Sequence, residues 1–110
     1  MNCNILTEGA HAIIQLTGDF DLSSAPDARE QILRCLDEGQ HVIVDLCAVS
    51  HIDSSGLAVL VEGCRTAKKN GLRFGLVGAG RAVMLVLQLA HVDKILPLHA
   101  SIESALGAGD

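Results

Sequence analysis

The residues best suited to chemistry are Asp53-Ser54-Ser55-Gly56: an acid, two adjacent hydroxyls and a glycine. They fall where one pattern gives way to another. Before them, Val42-Ile43-Val44-Asp45-Leu46 reads as an apolar strand; after them, Leu57, Leu60, Val61 and Cys64 recur at the i, i+3, i+4, i+7 spacing of a helix. Asp53 is placed to be the N-cap, its carboxylate accepting from the free backbone N–H groups of the first turn. Ser54 and Ser55 then stand in that turn, at the positive end of the helix dipole. On a wheel of about 100° per residue, Leu57, Leu60, Val61 and Cys64 gather on one side. Ser55, Ala58, Val59, Glu62, Thr66 and Lys69 gather opposite. Ser55 is thus expected to face solvent, with Ala58 and Val59 as a small apolar contact patch. Such a hydroxyl either helps cap the helix or accepts a phosphate, which free N–H groups and the dipole favour. Gly56 in the first turn costs up to about 1 kcal/mol relative to Ala, and its missing Cβ lets a backbone or a ligand come close.

Other chemistries fit less well. A serine-hydrolase elbow needs Gly two residues before the serine and a His base in reach. Ile52 and Asp53 stand before Ser54 and Ser55, and His51 has no evident second acid. Gly78-Ala79-Gly80-Arg81-Ala82-Val83 follows a strand and opens a helix, but Val83 stands where a dinucleotide loop has its third glycine. It reads as a tight turn. Asp19 and Asp21 read as solvated loop acids rather than a Mg²⁺ site. His11, His41, His51, His91 and His99 are scattered, without metal-ligand spacing. No catalytic, cofactor-binding or metal-binding residue is assigned.

The elements that must position the serine turn follow in order. Residues 3–7 form a short strand and 11–17 a better one, ending at Gly18. Gly18-Asp19-Phe20-Asp21-Leu22 reads as a turn carrying two acids. Ser24-Ala25-Pro26-Asp27 fits a capping box, with Pro26 in the first turn, where its missing N–H is harmless. That helix closes at Gly39. The strand over 42–46 leads to the helix over 53–69, closed by Asn70-Gly71. A strand over 72–77, a helix over 81–90, a short strand over 94–98 and a helix over 101–106 complete the chain. Residues 107–110 read as a frayed tail. Pro97 favours an edge position for the last strand. Ser101 is expected to cap the last helix. The third helix is apolar almost all round, so it is either deeply buried or carries an interaction surface. Strands alternating with helices predict one α/β domain over 1–110, with four to five strands and about four helices.

Composition narrows the function. The chain has 110 residues, a net charge of −5 and 2% aromatics, with no Trp or Tyr. It therefore lacks both the basic surface and the stacking platform that nucleic acid needs. The longest apolar run, 82–87, is far short of the roughly 20 residues that span a bilayer. Met1-Asn2-Cys3-Asn4 does not open a signal peptide. Cys3, Cys35, Cys47 and Cys64 form no C-x-x-C pair and read as reduced thiols acting as small hydrophobes in a cytoplasmic protein.

The run Val42 to Leu46 followed by Ile52-Asp53-Ser54-Ser55-Gly56-Leu57 resembles the signature of the STAS domain, in particular of bacterial anti-sigma factor antagonists. Gly18-Asp19-Phe20-Asp21-Leu22 with Ala25-Pro26 resembles that family's first strand-to-helix turn. Lys94 to His99 with Ser101 to Ala105 resembles its last strand and helix. The likeness covers nearly the whole chain and implies an α/β fold, a small mixed β-sheet of four to five strands packed with about four helices, in a non-enzymatic regulator of sigma-factor-dependent transcription. It implies binding to an anti-sigma factor that is also a serine kinase using ATP. Phosphorylation at the motif's second serine, Ser55, would break the complex, and a phosphatase would reset it. Asp21, Asp53, Ser54, Ser55, Gly56, Ala58, Val59 and Glu62 are the expected partner-binding residues, with room for a weak homodimer. His51 replaces an aromatic usual in the family, and Ala90-His91-Val92 a commoner Gly-Leu. The alternative is a non-switching STAS scaffold or accessory subunit, in a sensory or lipid-transport complex, docking through the third helix.

Overall fold

The computed structural model describes residues 2–107. It is an α/β fold in the order β1 (Asn2–Glu8), β2 (His11–Phe20), α1 (Ala25–Asp37), β3 (His41–Ile52), α2 (Ser54–Lys69), β4 (Phe74–Val77), α3 (Arg81–Leu89), β5 (Leu98–His99) and α4 (Ile102–Gly107). The tail expected over 107–110 lies outside the described residues from 108 on.

Five strands form one mixed sheet in chain order, β1-β2-β3-β4-β5. β1 pairs antiparallel with β2 across the Gly9-Ala10 turn, and every later neighbour is parallel. Parallel connections of one hand that always step the same way lay their helices on the same face. Accordingly α1, α2 and α3 share one core with the inward side of the sheet, where Ile14, Leu16, Val44, Leu46 and Leu76 are fully buried. The alternate residues Ile13, Ile43 and Val77 face the other way and are covered by Ala105, Ile102 and Leu106 of α4. This two-sided burial is why Val42 to Leu46 is apolar without alternation.

Several boundaries differ from expectation, and β4 starts at Phe74 rather than Leu72. β3 runs on to Ile52 rather than stopping at Leu46. Opposite the ten residues of β2 it carries twelve, because two register shifts insert an extra residue each. These bulges stretch the inward repeat to Leu46, Val49 and Ile52, which hides the strand from a two-residue period. β2 likewise runs through Gly18 to Phe20, because its partner β3 is there to pair with. β5 is only Leu98–His99; Pro97, just before it, contributes its carbonyl to the Leu76 N–H, and the strand sits on the sheet edge as expected.

The three long helices close alike. The N–H of Gly39 reaches Leu36 and that of Gln40 reaches Cys35; Gly71 and Leu72 do the same to Lys68 and Ala67. Both glycines have positive φ, 81° and 71°, the left-handed closure that Gly adopts without steric cost. α3 closes with the same pair of bonds, His91 to Gln88 and Val92 to Leu87, but with His91 at φ 59°.

Candidate functional site

The strand ends of β2 and β3 lie side by side, with Phe20 opposite Ile52 and Asp19 opposite His51. The Asp53 N–H continues the pairing to the Phe20 carbonyl at 3.2 Å. Two turns therefore leave the sheet together, Asp21–Ser24 into α1 and Asp53 into α2.

Asp53 is the N-cap of α2 in extended backbone, and one oxygen, Oδ1, accepts from the N–H of Ser55 at 2.8 Å and of Gly56 at 3.2 Å. The expected cap is present. Ser54 is exposed and Ser55 half-buried, so Ser55 does not point as fully into solvent as the wheel implied.

The buried face of α2 also differs. Val59, expected on the outer patch, is 6% exposed and part of the core; Ala58 alone of that pair is on the surface. The buried residues are Gly56, Val59, Leu60, Gly63 and Ala67, while Leu57, Val61 and Cys64 are only half-buried. Two glycines are the reason. A Cβ on Gly56 would lie 2.7 Å from the Phe20 carbonyl oxygen, and one on Gly63 would lie 2.8 Å from Cε2 of Phe74. Both phenylalanines of the chain are thus packed against a glycine of α2. A hydrophobicity wheel scores such glycines as gaps, although close packing centres on them. The close approach expected at Gly56 is made by the chain's own backbone, so Gly56 offers no surface to a partner.

On the neighbouring turn, Asp21 Oδ1 accepts from the Ser23 N–H at 3.1 Å and its hydroxyl at 2.7 Å. The Ser23 hydroxyl is the main cause holding the Asp21 carboxyl below its ordinary range. Ser24 stands at the N-cap of α1, yet its hydroxyl makes no capping bond. It donates instead to the Asp19 carbonyl at 2.9 Å and accepts from the Asp21 N–H at 3.0 Å, so the turn outcompetes the expected capping box. Asp19 Oδ1 lies 3.2 Å from His51 Nδ1 across the strand ends. Glu62, two turns along α2, is held bidentately by Arg29 of α1 at 2.6 and 2.8 Å. Hydrogen bonding from Arg29 keeps the Glu62 carboxyl below its ordinary range.

Asp21, Asp53, Ser54 and Ser55 therefore share one end of the sheet, with Ala58 a turn below Ser54 and Glu62 further down. Three features of this surface were not anticipated: the Asp19–His51 contact, the Arg29 clamp, and Leu22, which is 73% exposed on the tip of the Asp21 turn. An apolar residue inside an acidic loop was the available signal for Leu22. The carboxylates of Asp19 and Asp21 are turned to separate partners, and no group of three metal-ligating side chains converges among the described residues. Burial pushes the thiols of Cys3, Cys35 and Cys64 up, away from the reactive thiolate.

A family model for the STAS domain matches residues 2–105. The chain belongs to the STAS domain family. This STAS domain is 27% identical over 108 residues to the anti-sigma-B factor antagonist of Bacillus subtilis, covering 96% of this chain and 99% of that one. Its fold superposes on a crystal structure of an anti-sigma factor antagonist from Mycobacterium paratuberculosis with a TM-score of 0.88 at 25% identity, over 97% and 92% of the two chains. It also superposes on the Bacillus cell fate determinant SpoIIAA in its phosphorylated form, with a TM-score of 0.74 at 19% identity over 96% of each chain. The Bacillus subtilis relative and the Mycobacterium neighbour are both anti-sigma factor antagonists. No helix among the described residues is long and apolar enough to cross a membrane.

Proposed function

We propose that this STAS domain is an anti-sigma factor antagonist acting in the cytoplasm. In this reading it docks on its anti-sigma factor through the end of the sheet that carries Asp21, Asp53, Ser54, Ser55 and Ala58, with Glu62 at the margin. The anti-sigma factor is also a serine kinase: the Ser55 hydroxyl attacks the γ-phosphorus of ATP, ADP leaves, and the serine proton passes to a base on the kinase. A phosphatase restores the hydroxyl. The observation that carries the reading is the half-buried Ser55 at a helix N-terminus already capped by Asp53.

The geometry supports a switch for an electrostatic reason. The amides of Ser55 and Gly56 are already bonded to Asp53, so a phosphate on Ser55 finds few free donors. It adds about −1.5 to −2 charges beside a carboxylate, and the repulsion falls on a docked partner. A loss of roughly 3 kcal/mol at that interface is about a hundredfold in affinity. The phosphorylated Bacillus neighbour is of the same fold.

The test is to incubate the protein with its anti-sigma partner, ATP and Mg²⁺ and map the modified residue by mass spectrometry. One phosphate on Ser55 is expected, Ser55→Ala should remain unmodified, and the phosphorylated form should bind the partner about a hundredfold more weakly. An unmodified wild type, or equal modification of Ser55→Ala, overturns the reading.

A second reading rests on α3, whose outer face exposes Leu85 at 52% and Leu89 at 71%. There the domain is a constitutive subunit docked through α3. Replacing Leu85 and Leu89 by Ser would then abolish co-purification with a larger complex, while Ser55→Ala would not.

A further inference from the structure

β1 is an open edge of the sheet. It runs for seven residues, Asn2–Glu8, and among the described residues no strand pairs with its outer side. Its register with β2 goes from Asn2 opposite Thr17 to Glu8 opposite His11 without a bulge. The strand contains no proline, no Lys or Arg, and a single acid, Glu8, at its end. Bulges, prolines, charges and short length are the devices by which sheets close an edge. The opposite edge uses two of them, since β5 is two residues long and follows Pro97. β1 instead exposes Ile5 at 38% and Leu6 at 46%, one on each face of the sheet. The Asn4 side chain is turned inward along the sheet, donating to Gln15 Oε1 of β2 at 3.0 Å.

The hairpin fixes which backbone groups this edge presents. Gly9-Ala10 is a two-residue turn, with Gly9 at φ 59°. The residues that flank such a turn, here Glu8 and His11, exchange both backbone bonds, and every second residue of the strand faces its partner in the same way. Accordingly the Asn2 N–H is turned to β2, reaching Thr17 Oγ1 at 3.2 Å. The N–H and C=O groups of Cys3, Ile5 and Thr7 therefore point away from the sheet.

We propose that β1 pairs with β1 of a second copy of this chain, antiparallel, about a two-fold axis at Ile5. A two-fold axis through the seam keeps each face of the sheet continuous, so it can stand only at a residue and not between two. Centred on Asn4, the pairing carries Thr7 past the end of the other strand; centred on Leu6, it carries Cys3 past that end. Centred on Ile5, Cys3 meets Thr7 of the second copy, Ile5 meets Ile5, and every outward N–H of the strand finds a carbonyl. The side chains agree with that register. Ile5 gains an apolar partner directly opposite. Glu8 stands opposite Asn2, and the two Glu8 carboxylates are about 20 Å apart along the strands, well beyond the Debye length of about 8 Å. No like charges face each other along the seam. The seam is also short: two seven-residue edges fall below the roughly 1,200 Å² of standard interfaces, so the dimer is weak, with a Kd of about 0.1–1 mM. β1 carries none of the residues of the Ser55 surface, and the inference does not depend on the switch.

Sedimentation of the full chain from about 10 µM to about 2 mM tests this, with ¹⁵N amide signals followed over the same range. The wild type should pass from monomer to dimer. The amides of Cys3, Ile5 and Thr7 should shift with concentration, and those of Asn4 and Leu6, already bonded to β2, should shift less. Ile5→Lys and Ile5→Glu each set like charges opposite one another at the axis. Each should weaken self-association at least about tenfold with the unfolding midpoint retained, and a one-to-one mixture of the two should associate again. Thr7→Pro removes an outward N–H and spares the bonds to β2; it should weaken association equally and decides the matter if an Ile5 variant fails to fold. A wild type that stays monomeric at about 2 mM overturns the proposal and leaves the edge to a strand of another protein. So do variants that associate like wild type, a mixture no tighter than its components, or concentration-dependent shifts centred away from β1.

Discussion

Asp53 carries the turn with a single oxygen. Because Oδ1 satisfies two N–H groups that have no partner inside the helix, truncation leaves both orphaned. Asp53→Ala is expected to destabilise the fold by about 1 kcal/mol, read as a lower urea midpoint with unchanged slope, while Asp53→Asn keeps most of the cap. Ser24 is the instructive contrast. It occupies the N-cap position of α1, but the Asp19 carbonyl and Asp21 N–H have taken its hydroxyl. A good capping residue at the N-cap position does different work when a neighbouring turn offers stronger partners.

At the scale of elements, α2 is set by what it leans on. Ala is the better helix former by up to about 1 kcal/mol, so Gly63→Ala should stabilise an isolated α2. In the fold the added Cβ meets Phe74 at 2.8 Å and Ile32 at 3.0 Å, and overpacking of this kind costs about 1–3 kcal/mol. Gly63→Ala is therefore expected to lower the thermal midpoint; a rise would mean that Phe74 moves aside freely. The end of α3 argues the other way. His91 holds the left-handed closure that glycine holds in α1 and α2, at a steric penalty of about 1–2 kcal/mol, part of which glycine returns through its freer unfolded chain. His91→Gly is expected to gain about 0.5–1 kcal/mol in denaturant titration.

Across the whole molecule, stability is graded from the middle of the sheet outward. Residues 42–45 of β3 pair with β2 on one side and β4 on the other, and Val42, Ile43 and Val44 among them are buried, from both faces of the sheet taken together. β5 has two residues, and β1 is exposed along most of its length. Native-state hydrogen exchange should therefore be slowest at Val42 to Val44 and much faster at Leu98 and His99. Equal protection would mean that the whole sheet opens only as one unit. The graded arrangement places the Ser55 turn at the end of the most rigid strands.

Much of this was legible in the amino acids. The α/β class, the parallel β3–α2–β4 unit, the Asp53 cap, and the Gly39 and Gly71 closures all rest on local chemistry: period, capping side chains and glycine's freedom at positive φ. So does the D-S-S-G turn that marks the family. What the tertiary structure alone decided is which way things face. Val59 went inward and Ser55 turned partly aside because α2 seats Gly56 and Gly63 on Phe20 and Phe74, partners 36 and 11 positions away in the chain. β3 outran its apolar pattern because two bulges re-aimed it. Ser24 gave up its cap to a turn. A helix or a cap is specified by neighbours within a few residues. Orientation is specified by whatever the fold brings across the gap, and no local period encodes that.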